Sequence, residues 1–194
     1  MKVLSVALLA LLLLAGCTSK PEFTPEQEAV LQAMQAWAEG VARPDTAALW
    51  ELSSPDMQDL YRRELLAPRG VRDTVKQSKA ALDPDALTPT AERERIKAVL
   101  ADLPADAETM TPQAYFAWKI TRKATPVEAE NTRKLFTRTN VKEVHIEGET
   151  ATVVLLAGDP ARYFWRKVDG VWKFDVSPSI LRELQAARQK ESDR

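Results

Sequence analysis

The chain of 194 residues holds one cysteine and one histidine. No disulfide can therefore close within it, and a metal site built from several imidazoles or thiolates has no ligands to draw on. Glycine is scarce, at six residues, and none of these cluster into the loop that lets backbone amides approach a phosphate. Charge of one sign is missing as well. Lys and Arg number 27 against 28 Asp and Glu, for a net charge of −1, so no basic field points to nucleic acid. Past residue 17 there is no apolar run near the ~20 residues that a membrane-spanning helix needs. What remains is 45% hydrophobic and 28% charged. That mixture excludes a disordered tail, a collagen or a coiled-coil rod, and the length suits one ordinary domain.

The first 17 residues stand apart. Met1-Lys2 precedes an almost wholly apolar stretch over 3–14, followed by Ala15-Gly16-Cys17. Twelve helical residues reach about 18 Å, short of the ~30 Å hydrocarbon core, whereas a basic residue, an apolar run and small residues in that order suit an export signal. Leu14-Ala15-Gly16-Cys17 resembles the bacterial lipobox. The resemblance implies that residues 1–16 are removed, that the Cys17 sulfur takes a diacylglycerol, and that the new amine is acylated. Loss of Lys2 shifts the net charge from −1 to −2. By the enterobacterial sorting rule an aspartate after the cysteine retains the protein on the inner membrane; Thr18 stands there. The resemblance thus implies the periplasmic face of the outer membrane, with the inner membrane or the cell surface as alternatives. Two or three acyl chains give stable anchoring. The tether over 18–24 extends at most ~25 Å, which keeps the domain near the lipid, and Cys17 itself is the contact with membrane lipid.

Six of the twelve prolines follow Ser or Thr: Pro25, Pro55, Pro89, Pro112, Pro126 and Pro178. A hydroxyl that caps a free amide, followed by a residue with fixed φ, predicts a helix start at each. Thr24 with Gln27 and Thr125 with Glu128 form capping boxes. Val30, Ala33, Met34, Trp37 and Val41 make one apolar stripe, and Ile96, Val99, Leu100 and Leu103 another, each predicted to face a core. Further helices are predicted over 45–52 and 71–82, the second stopped by Asp83-Pro84. From Val141 the period becomes two. Turn signals at Gly148-Glu149, Gly158-Asp159-Pro160 and Asp169-Gly170 predict a four-stranded antiparallel meander. Two-residue loops would pair Lys167 with Trp172, Trp165 with Phe174, Tyr163 with Val176, Val144 with Val153, Ile146 with Ala151 and Lys142 with Leu155, all on the core face. The other face receives Val141, Val154, Leu156 and Phe164 beside Glu143, Arg166, Lys173 and Asp175. Four apolar residues are too many for a wholly solvated face: either a helix, such as the one after Ser177-Pro178, covers it, or a partner does. Residues 189–194 read as a polar tail.

Two stretches are similar to the nuclear-transport-factor-2-like fold, a cone in which a curved sheet wraps a long helix. One runs from Ala36-Trp37-Ala38-Glu39 through Ala48-Leu49-Trp50-Glu51-Leu52-Ser53-Ser54-Pro55. The other joins Gly148-Glu149-Thr150-Ala151-Thr152-Val153 to Lys167-Val168-Asp169-Gly170-Val171-Trp172-Lys173-Phe174. The resemblance covers roughly half of the chain beyond the leader and implies an α+β domain over 25–188, with helical material over 70–111 that compact members lack. It also implies a pocket inside the cone and, in relatives, dimers through the outer sheet face.

Chemistry for catalysis is thin. His145 shares its face with Glu143 and opposes Thr152, which suits a solvent-facing histidine better than an acid/base pair. Carboxylates do not cluster at metal-ligand spacing, and no cofactor is expected. Tyr163, Trp165, Trp172 and Phe174 either fill the core or ring a pocket for an apolar ligand. Arg62, Arg63, Arg69 and Arg72 make the densest basic run, but Asp59, Glu64 and Asp73 interrupt it, which predicts a solvated face. The sequence therefore predicts a lipid-anchored envelope protein that binds an apolar ligand or an envelope protein without catalysis. An enzyme using the cone pocket, or a structural subunit of an envelope complex, is the alternative.

Overall fold

The structure is a computed structural model and describes residues 22–123, 125–156 and 161–192. Cys17, the leader and the Gly158-Asp159-Pro160 turn lie outside the described residues. The Ser/Thr-Pro pairs mark the helix starts. Helix α1 (Pro25–Ala42) opens on the Thr24–Gln27 capping box, and the Gln27 amide reaches on to donate to the Val144 carbonyl at 2.7 Å, so the cap also fastens the helix to the sheet. α2 (Thr46–Glu51) is capped by Asp45 and α3 (Pro55–Leu66) by Ser54. α4 (Val71–Leu82), α5 (Thr90–Ala101), α6 (Pro112–Lys123), α7 (Pro126–Leu135) and, after the sheet, α8 (Pro178–Ser192) complete the helices. One start differs from expectation. Pro89 is itself the N-cap of α5, with no hydroxyl cap. Arg93 does the work instead, donating to the carbonyls of Leu82, Asp83, Ala86 and Thr88 and so closing the α4–α5 connection.

Strands β1 (Val141–Glu147), β2 (Thr150–Leu155), β3 (Arg162–Val168) and β4 (Val171–Asp175) form one antiparallel sheet in the order β1-β2-β3-β4. Asp169 and Gly170 both take positive φ, 51° and 80°, as a two-residue hairpin loop requires. That loop sets the predicted pairs Trp165↔Phe174 and Lys167↔Trp172, and the first hairpin has Val144↔Val153 and Ile146↔Ala151. The expected Tyr163–Val176 pair falls beyond the end of β4. Two corrections concern the outer face. A register shift between Val141 and Glu143 pairs Val141, not Lys142, with Leu155, and the extra residue turns Val141 into the core, where it is buried. Asp175, expected in water, is buried too, because the start of α3 lies over it. The backbone of residues 52–54 runs parallel to β4 and pairs with Phe174, Ser54 N–H donating to its carbonyl at 2.8 Å and its N–H to Leu52 at 2.7 Å. This segment covers the sheet edge at β4.

Two apolar clusters result. Val30, Leu31, Met34 and Ala38 of α1 pack with Phe136 after α7 onto Val144, Ala151, Val153, Trp165 and Trp172. The second cluster joins Leu65 of α3, Val75 of α4, Ala107, Met110 and Tyr115. Helix α5 departs from its predicted role: none of its residues is buried, Leu100 only flanks the second cluster, and Val99 is 48% exposed. The segment expected to be a tail is helical through Ser192, because Arg63 donates a two-pronged pair of hydrogen bonds to Glu191 at 2.9 and 3.0 Å.

Candidate functional site

The sequence-predicted residues do not converge on an open site. Trp165 and Trp172 are buried, and Tyr163 and Phe174 pack against the same cluster. Trp37 stacks on Phe174 at 4.5 Å between ring centroids, and Phe136 meets Tyr163 edge-on at 4.6 Å. The four rings therefore fill the space between α1 and the sheet. His145 is exposed, opposite Thr152, with Nε2 2.9 Å from a Glu147 oxygen. The Arg run is solvated in part: Arg62 is exposed and with Arg63 binds Asp59, Arg72 donates to the Met110 carbonyl at 2.6 Å, and Arg69 is exposed with no side-chain partner among the described residues.

The densest chemistry lies where α3, α8 and the outer face of β3–β4 meet. Asp56 and Asp59 stand three residues apart, hence on one face of α3, and are 5% and 8% exposed. Arg166, pointing outward from β3, donates to Asp56 and through Nε to Asp175 at 2.9 Å. Arg188 of α8 spans both helix carboxylates, with Nη2 2.8 Å from Asp56 and 2.8 Å from Asp59. The Ser54 hydroxyl closes the network: it accepts from Met57 N–H as the α3 cap and donates to Asp175. Four carboxylates (Asp56, Asp59, Asp175, Glu191) thus face four guanidiniums (Arg62, Arg63, Arg166, Arg188), and the charge balances.

Burial pushes the Asp59 carboxyl up, but hydrogen bonds from Arg62, Arg63 and Arg188 outweigh it and hold the group at about 2. A general acid needs the reverse, a carboxyl that keeps its proton near neutral pH. The arrangement acts as an electrostatic clamp joining sheet, α3 and α8. Because the folded value lies below the ordinary 3.8, the stability contributed by Asp59 is fully present above that ordinary value and is lost as pH falls toward 2. We expect Asp59→Asn to lower the urea midpoint at pH 7 and to flatten its fall between about pH 4 and pH 2. A variant whose acid profile parallels the parent's would show that Asp59 does not carry this dependence.

No group of three or more metal-ligating side chains occurs among the described residues. Two clefts remain. One, about 420 Å³, opens beside the clamp between Trp50, Gln58, Arg62, Pro112 and Arg188. The other, about 510 Å³, borders the 70–111 segment, between the α3–α4 turn, the end of α5 and α6. The clamp escaped the sequence reading, although Arg166 and Asp175 on one outward face were a signal that this face meets polar partners. Compared with known proteins, the chain matches no family model, no curated protein and no solved structure.

Proposed function

We propose that the protein is a bacterial lipoprotein, anchored through Cys17 to the periplasmic face of the outer membrane, whose domain is a non-catalytic binding module of the nuclear-transport-factor-2-like kind. The observation that carries the reading is the apolar leader ending in Leu14-Ala15-Gly16-Cys17. It is supported by a long helix laid on one face of a four-stranded antiparallel sheet, the layering that the resemblance implies. No helix among the described residues is long and apolar enough to cross a membrane. Against an enzyme built in the cone speak Trp165, Trp172 and Phe174, which fill that space, and carboxylates already committed to arginines. On this reading residues 17–24 are the lipidated tether, and ligand or envelope partner binds outside the cone.

Cys17→Ser is expected to abolish acyl mass at the N-terminus and to change the membrane attachment of the protein in fractionated cells. A variant that keeps both the acyl mass and the parent's membrane fraction sinks the lipobox reading.

A further inference from the structure

The cleft on the 70–111 segment combines features that the clamp lacks. Its volume, about 510 Å³, lies within the ~300–1,000 Å³ of small-ligand sites. One wall is apolar: Val71 from α4, Val99 from α5 and Leu103 just beyond it line the space. The stripe on α5 follows core spacing, yet Val99 stays exposed, so its missing apolar contact faces the cleft. At the inner end Tyr115 donates to Glu64 at 3.3 Å, and Lys119 pairs with the same carboxylate at 2.5 Å. Burial first, then the charge of Glu64, pushes the Tyr115 phenol up to about 12, so it remains a donor.

The rim carries the unusual residue. Ala67-Pro68-Arg69-Gly70 is a tight turn closed by Gly70 N–H donating to the Ala67 carbonyl at 2.7 Å. Arg69, its third residue, has φ +63°, a conformation that favours glycine or asparagine and is disfavoured for a long side chain. Glycine is not free to trade places: a Cβ on Gly70 would lie 2.5 Å from the Glu64 carbonyl oxygen. An arginine held in a disfavoured conformation, its guanidinium unpaired among the described residues, lines a cleft with one apolar wall. The charged groups of the lining are Glu64, Arg69 and Lys119, a net single positive charge.

We propose that this cleft binds a single-chain amphiphile with a monocarboxylate head, such as a fatty acid, the head on Arg69 and the tail along Val71, Val99 and Leu103. The carboxylate satisfies the guanidinium with charge-assisted hydrogen bonds, and the tail completes the half-covered stripe of α5. The inference rests on the ligand-binding part of the proposed function and not on the anchor, so Cys17→Ser leaves it unchanged.

The full chain, in a neutral maltoside detergent, is photolabelled with a diazirine derivative of lauric acid, and the sites are mapped by mass spectrometry. Labels are expected to concentrate on residues 67–71 and 99–103, to saturate, and to be displaced by excess laurate but not by dodecyltrimethylammonium. Arg69→Gly is expected to cut this labelling at least five-fold while leaving the thermal midpoint unchanged or higher, since glycine suits the turn. Val99→Glu, at an exposed position, is expected to cut it similarly. Labelling scattered without saturation, equal displacement by the cationic amphiphile, or undiminished labelling of both variants would overturn the proposal. Displacement by dodecyl phosphate but not by laurate would overturn the carboxylate assignment.

Discussion

Asp175→Ala is expected to destabilise the protein by about 3–5 kcal/mol, the loss typical when one partner of a buried ion pair is removed. Asp175 is 5% exposed, holds the Nε of Arg166 and accepts from the Ser54 hydroxyl. Its removal takes one of two carboxylates from a guanidinium that the sheet and α3 keep largely from water, and takes the partner from the capping side chain of α3. The Arg166 side chain is 26% exposed and keeps Asp56, which places the effect toward the lower end of that range. Ser54→Ala, which loses the cap and one hydrogen bond to Asp175, should cost about 1–2 kcal/mol. The pair can be separated from the charge by Arg166→Met combined with Asp175→Ala: the double variant removes the guanidinium left one carboxylate short while Asp56 keeps Arg188, so it should be more stable than Asp175→Ala alone. Urea unfolding of the three variants checks this. A loss below about 1 kcal/mol for Asp175→Ala would mean that Arg166 swings out to water and the clamp adds little.

The clamp also marks where sequence reasoning stops. The meander and its register were legible because they are local: Asp169-Gly170 fixes which residues face each other, and alternation then decides which side is buried. The helix starts were legible for the same reason, since a cap and its amide lie three residues apart. In sequence terms Asp56 is no more than an acidic residue in a first helical turn. Its partner Arg166 is 110 residues away, and nothing in the local pattern of either predicts that the turn of α3 crosses the sheet there. The bulge that buries Val141 had no glycine or proline to announce it. Arg93 was equally hidden, because its four carbonyl acceptors are backbone groups and carry no side-chain signature. The cleft followed from such a gap as well: the apolar stripe of α5 was visible, but that it would lack a full partner surface was not.

Trp165→Ala is expected to cost about 3–5 kcal/mol, whereas Trp165→Phe should cost under about 1.5 kcal/mol. The contrast follows from how the ring is held. Trp165 is 1% exposed, lies between Ala151 on β2 and Phe174 on β4, and meets the Phe174 ring edge-on at 5.4 Å. Its indole N–H is buried with no acceptor among the described residues, as are those of Trp37 and Trp172. The N–H therefore contributes a desolvation cost and no bond, so the stabilisation by Trp165 comes from apolar contact alone. Alanine forfeits that contact and leaves a cavity under α1. Phenylalanine forfeits part of it but removes the unsatisfied donor, and the two changes oppose each other. The same measurement probes the candidate pocket of Tyr163, Trp165, Trp172 and Phe174. Were these rings walls around a ligand, Trp165→Ala would enlarge an existing space at small cost; in a filled core it must lower the urea midpoint steeply. An alanine variant within about 1 kcal/mol of the parent would reopen the pocket, and one as costly as expected shows that the rings fill a core.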